Sequence, residues 1–251
     1  MRRSLPVLVT GAVLALALAG CVGTPTGPSN SPSPSLSTPP ATPSAAPAAG
    51  CPPTPGTTAP ASAVTASTID VDGDGSPDTE WIAQLDAVTR FGVTTASGAT
   101  FSYDVTSGSP IPRGGFVARL TPELVISLLS DGRGAYLHTI ENCAFVEPTD
   151  TRGQPYTFDL QYLRGTGTGV GCVPSGNDLA LVGYLAATAN GTVTVKQTVI
   201  RLNAAGTIAR NGAVTTVARN VPSTDPIVAT ANSVTCGGVT ISSGGVSLPS
   251  R

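Results

Sequence analysis

An all-β fold is the prediction for the folded part of this chain, and three observations carry it. Short runs rich in Val, Ile, Thr, Tyr and Phe recur through residues 62–251, broken by Gly, Asn and Asp. Two-residue hairpin signals, Asp131-Gly132 and Asn190-Gly191, sit against such runs. Charged residues make up only 11 % of the chain, so Thr and Ser supply the polarity, which suits an extracellular β-protein.

The expected strands follow in order. Thr79–Leu85 places Trp81, Ala83 and Leu85 on one side, which favours burial of the single tryptophan. Arg90–Thr95, Thr100–Val105 and Phe116–Leu120 come next. Thr121-Pro122-Glu123 has the chemistry of a helix start, but the run after it is short, β-branched in its middle and ends in Ser-Asp-Gly. Leu124–Ser130 is therefore expected as a strand, joined through Asp131-Gly132 to Ala135–Ile140. Tyr156–Tyr162 and Asp178–Ala187 follow. Thr192–Leu202 alternates, with Val193, Val195, Gln197, Val199 and Arg201 on one side. Ala213–Ala218 and Ser233–Ile241 complete the set. Gly165–Gly171 fails the dinucleotide-binding pattern and has no Walker lysine, so it reads as a flexible loop leading to Cys172.

Asp78 into Trp81–Leu85, Glu123 into Leu124–Leu129, and Asn177 into Leu179–Leu185 can be laid over one another. Each is a polar residue opening an apolar strand, at spacings of roughly 45 and 55 residues. Degenerate antiparallel blades, three to four of them, are the expected architecture, with a β-sandwich as the alternative.

Residues 1–20 have a short basic start and an apolar run from Leu5 to Leu18, too short for a permanent span. The run ends in Leu18-Ala19-Gly20-Cys21. This tetrapeptide resembles the lipobox of bacterial lipoproteins, in which the cysteine is lipidated and becomes the mature N-terminus. The resemblance implies lipid on Cys21 and anchorage to the outer face of the cell membrane. Residues 21–61 are a Pro/Ser/Thr-rich tether with almost no large apolar residue and no charge. Extended at about 3.1 Å per residue, it reaches on the order of 120 Å. Residues 62–251 form one extracellular domain by length.

Loss of residues 1–20 leaves 11 basic against 15 acidic residues, with Lys196 the sole lysine. There is no basic patch, so nucleic acid is not an expected partner. With Cys21 lipidated, Cys51, Cys143, Cys172 and Cys236 remain, an even set that implies two disulfides in an exported protein. Three pairings are open. The expectation is Cys143–Cys172 as a local bridge and Cys51–Cys236 as a clasp, worth roughly 3.5 and 5 kcal/mol in the chain-entropy model.

The most specific chemistry lies in Asp70-Val71-Asp72-Gly73-Asp74-Gly75-Ser76-Pro77-Asp78. Four carboxylates in nine residues repel one another, at about 0.5–1 kcal/mol per close pair in water. A cation offsets that repulsion. Asp70, Asp72, Asp74 and Asp78, with the Ser76 carbonyl, offer hard oxygen ligands that suit Ca²⁺. No His or Cys lies among them, against zinc or copper. Trp81 stands where an EF-hand needs its bidentate Glu. The Asp-x-Asp-x-Asp-Gly-x-x-Asp pattern opening into a hydrophobic strand instead resembles the calcium loop of FG-GAP and VCBS repeats, the integrin-α-like β-propellers. Phe91-Gly92 and Gly98-Ala99-Thr100 are a loose echo of the family's namesake residues. The chain also looks like actinobacterial lipoproteins in which one such loop precedes an all-β domain.

No G-x-S-x-G or His-Glu-x-x-His occurs, and His138 is the only histidine. Glu141 with Glu147, or Asp150 with Asp159, can be posed as a glycosidase pair, but nothing in their spacing singles them out. The expectation is a non-enzymatic, calcium-binding surface module that meets an envelope protein or cell-wall component. The alternatives are an envelope-polymer hydrolase and an accessory subunit of an envelope complex.

Overall fold

The computed structural model describes residues 50–160 and 167–249, which belong to one compact unit. Cys21, the signal-like segment and most of the tether lie outside the described residues. The fold is all-β. Three four-stranded antiparallel meanders succeed one another along the chain. The first is β1 (Val64–Ser67), β2 (Thr79–Leu85), β3 (Val88–Thr94) and β4 (Thr100–Thr106). The second is β5 (Gly114–Thr121), β6 (Leu124–Ser130), β7 (Gly134–Glu141) and β8 (Ala144–Val146). A short strand β9 (Thr157–Asp159) pairs with the start of β7, while β8 pairs with its end. The third meander is β10 (Gly167–Ser175), β11 (Asp178–Ala189), β12 (Thr192–Leu202) and β13 (Ala209–Val221). After it come one helix, α1 (Pro226–Ala231), a ribbon β14 (Thr235–Cys236) with β15 (Val239–Thr240), and β16 (Val246–Ser247), which adds beside β5. Among the described residues, no sheet closes on itself.

The repeat in the sequence has a structural counterpart. The three apolar segments that superpose there are β2, β6 and β11, each the second strand of its own meander.

The second sheet is the middle layer. On β6, Ile126 and Leu128 point into one core, with Phe116, Leu137, Leu181 and Ile200. Val125 and Leu129 point the other way, into a core with Ile82, Phe91 and Val105 of the first sheet. Burial on both faces explains why Leu124–Ser130 is nearly continuously apolar, and why periodicity alone left helix and strand both open. A third, smaller core lies on the far face of the third sheet, where Val182, Val193 and Val195 meet Val228 and Ala231 of α1.

Several expectations are corrected. Cys51 bonds Cys143, and Cys172 bonds Cys236. Neither the local Cys143–Cys172 bridge nor the Cys51–Cys236 clasp forms. Cys143 lies in the β7–β8 turn, beside Phe145, which packs against the first sheet. Cys172 and Cys236 lie in the core on the opposite face of the middle sheet. Layer order, not sequence separation, decides the pairing. The separations of 92 and 64 residues correspond to about 4–5 kcal/mol each in the chain-entropy model.

The described part of the glycine-rich stretch, from Gly167 onward, belongs to strand β10. A Cβ at Gly169 would stand 2.5 Å from the carbonyl oxygens of both Ala231 and Ser233. Those glycines let the chain after α1 lie directly on the strand, where the Val170 N–H donates to Ser233 O at 2.9 Å. Ser233–Ile241 divides into two strands because Gly237, at φ +59°, turns the chain. Strand β13 outruns Ala213–Ala218 at both ends. The β12 alternation holds, with Val193, Val195 and Val199 in the core beside α1 and Ile200 and Leu202 in the core on the other face; the extra residues of the irregular β12–β13 pairing fall on β13. Of Tyr156–Tyr162, the described part pairs only as β9. Trp81 is buried as expected, its indole filling the space over Gly92, the residue opposite it.

Candidate metal centre

The acidic loop is the connection between β1 and β2. Those strands pair from Ser67–Thr79 upward, and the Thr68 N–H donates to Asp78 O at 2.8 Å just beyond. Residues 69–77 bulge out of this hairpin. Gly73 and Gly75 stand at φ +77° and +90°, where an L side chain is disfavoured. With that freedom the loop folds its N–H groups back onto its own carboxylates. Asp70 accepts from Gly73 N at 2.7 Å and Gly75 N at 2.8 Å. Asp74 accepts from Ser76 N at 2.7 Å. Asp78, only 2 % exposed, accepts from Val71 N at 2.7 Å and from Ala96 N, across on the β3–β4 turn, at 2.8 Å.

Carboxylate oxygens of Asp70, Asp72 and Asp78 lie within 4.8 Å of one another. Asp74 and Ser76 stand beside this trio, tied to each other. The charges are felt. Burial raises the Asp78 carboxyl above the usual range, and the neighbouring Asp72 and Asp70 add to that. At Asp70 burial also works upward, but the N–H donors of Gly75, Gly73 and Asp74 outweigh it and hold the group low. Every donor in the trio is a hard anionic oxygen with lone pairs to spare, the donor set that fits Ca²⁺.

Two contacts with this loop had little signature in the sequence. Cys51 donates its N–H to Asp72 Oδ2 at 2.7 Å, and Ser97 donates its hydroxyl to Cys51 O. A Cβ on Gly50 would lie 2.6 Å from that same Asp72 oxygen and 2.8 Å from Asp74 Cβ, so a larger residue there would have to push the loop aside. Arg119 of β5 donates to the carbonyls of Pro122 and Asp70. The loop thus joins the incoming chain, the first sheet and the second. The only available signal was Gly50-Cys51 interrupting a Pro/Ser/Thr tract.

His138 sits on β7 facing the first sheet. It is 6 % exposed and stacks on Tyr103, ring centroids 3.6 Å apart. Burial pushes its imidazole down to about 4, and its Nδ1 has no partner among the described residues. Beside it Ser127 shares a 3.2 Å hydrogen bond with the Tyr103 hydroxyl. Glu80, fully buried, accepts from Val117 N at 2.7 Å, and burial lifts its carboxyl to about 8. Asp150 spends one carboxylate oxygen on the N–H groups of Arg152 and Gln154 in its own turn.

No family model, curated protein or solved structure matches the chain. The two disulfides point to an oxidising, extracytoplasmic compartment. Among the described residues, no helix is long and apolar enough to cross a membrane.

Proposed function

We propose that this chain is a calcium-stabilised, non-enzymatic surface module. It is held on the outer face of the cell membrane by lipid on Cys21 and presents its β-domain to an envelope protein or cell-wall component. The observation that carries the calcium reading is the trio Asp70, Asp72 and Asp78, with oxygens within 4.8 Å of one another. Its location supports a structural role for the ion, because the same loop holds Cys51 and receives Arg119. A bound cation offsets the mutual repulsion of the carboxylates and fixes the hairpin ahead of β2.

The test is thermal unfolding in millimolar Ca²⁺ and in chelator. The melting temperature of the native sequence rises with Ca²⁺ and falls on chelation, whereas Asp72→Ala melts at one temperature in both. Equal melting of the native protein in Ca²⁺ and chelator would overturn the reading. Mass spectrometry of membrane-extracted protein tests the anchor separately: a diacylglyceryl mass on Cys21 is expected, and Cys21→Ser releases the chain from the membrane.

A further inference from the structure

A second feature of the domain lies away from the acidic loop and does not depend on calcium. The β2–β3 turn, the β4–β5 connection and the chain after β16 line a half-open cavity of about 450 Å³, within the size range of small-ligand sites. Arg113 lines it and makes no ion pair among the described residues. The guanidinium is held rigidly: Nη1 donates to Gln84 Oε1 at 3.2 Å, and Nη2 donates to Ser107 O. Gln84 is itself fixed, since its amide nitrogen donates to Asp86 O at 2.8 Å and Val88 O at 2.9 Å, which leaves its oxygen turned to Arg113. Among the described residues, the buried Nε–H has no acceptor, and each terminal nitrogen makes one hydrogen bond, which leaves one of its two N–H groups unspent.

The nearby carboxylate of Asp131 is no counter-ion in waiting. It is occupied by the N–H groups of Arg133 and Gly134 and by the hydroxyls of Ser107 and Tyr136. The apolar part of the lining is Ala87, Ile111, Leu248 and three prolines. It is also pre-formed. Ser109 donates its hydroxyl to Asp131 O at 2.7 Å, Leu248 donates its N–H to Arg113 O at 2.8 Å, and Ile111 packs where a side chain at Gly132 would be. Asp86 is the one carboxylate in the lining; it is exposed and disfavours a second negative group on any occupant.

We propose that this cavity binds a single carboxylate carried on a short aliphatic body, with Arg113 as the anchoring cation. A planar fork with two free N–H groups matches a carboxylate in geometry. The apolar lining takes the aliphatic part, and the fixed guanidinium keeps the ordering cost low.

Calorimetric titration of the full chain, with both disulfides formed, tests this with N-acetylleucine as probe. Saturable binding is expected. N-acetylleucinamide, which has the same shape without the charge, and inorganic phosphate, which has charge without the aliphatic body, bind at least about tenfold more weakly. Arg113→Gln weakens N-acetylleucine by about tenfold or more. Because Arg113 also ties two segments together, Ala87→Trp is the second variant; it fills the cavity from an exposed turn without touching the Arg113 contacts, and it abolishes binding while melting like the native protein. Equal binding of acid and amide, equal binding of phosphate, unchanged affinity in a folded Ala87→Trp protein, or no saturation at tens of millimolar probe would overturn the proposal.

Discussion

The two faces of the middle sheet are built from the same strands and differ in kind. Toward the third sheet, β6 presents Ile126 and Leu128 to a core of aliphatic and aromatic side chains, tied by Cys172–Cys236. Toward the first sheet, the same strand presents Val125, Ser127 and Leu129. Here the apolar contacts are interrupted by Glu80, Tyr103 and His138, and the tie is Cys51–Cys143, beside four carboxylates. One face is held by apolar contact and a disulfide. The other includes groups whose charge depends on the solution. Its contribution to stability is therefore adjustable, and that of its neighbour is not.

The sharpest way to break this comparison is to cut each tie. Replacing both Cys172 and Cys236 by Ser costs about 4 kcal/mol in denaturant unfolding, by the same amount with Ca²⁺ and with chelator. Replacing Cys51 and Cys143 costs a similar amount, but the loss depends on Ca²⁺, because Cys51 also donates to Asp72. A calcium-independent loss at both ties would erase the distinction.

Next in size are two adjacent side chains on β6. Leu128→Ala opens the apolar core and costs about 2–5 kcal/mol. Ser127→Ala, one residue away on the other face, loses a shared hydrogen bond and costs about 1 kcal/mol.

The pH dependence, measured in chelator, sharpens the comparison further. His138 is held neutral, with its folded value near 4 against an ordinary 6.5. The unfolded chain takes up the proton first, so the His138 contribution is whole above 6.5 and is lost as pH falls through 4, about 3 kcal/mol in all. Glu80 runs the other way. Its folded value is near 8 against an ordinary 4.5, so its contribution is whole below 4.5 and is lost as pH rises through 8. Between 4.5 and 6.5 the two slopes oppose each other. His138→Phe uncovers a decline from 4.5 upward, and Glu80→Gln uncovers a rise from 4 to 6.5. Both are read as unfolding free energy against pH. Calcium has a small expected effect. At millimolar Ca²⁺ and the affinity usual for extracellular sites, the gain is about 1–2 kcal/mol, and Asp72→Ala removes it.

The sequence showed the β-class, most strands of the first two sheets and the loop glycines, because each has a local cause. Alternation marks β2, Asp131-Gly132 marks the β6–β7 turn, and Gly73 and Gly75 mark a path closed to other residues. What it hid has non-local causes. Glycines in β10 looked like flexibility but answer to the chain after α1 lying against them. The disulfide pairing depends on which side of the middle sheet each cysteine faces. β1 and β16 are so short that pairing with a neighbour, not propensity, makes them strands. Within the site, the spacing of the carboxylates was plain, but the donation from Cys51 to Asp72 joins residues 21 positions apart.

The Cys51–Cys143 bond also sets the load path of the domain. A pull on the chain ahead of residue 50 meets a covalent link at Cys51 before it reaches β1, a four-residue strand paired on one side only. Tension therefore passes through sulfur into the β7–β8 turn of the middle layer. The weak outermost strand is spared, and an end-on tug cannot peel the first sheet open from its edge.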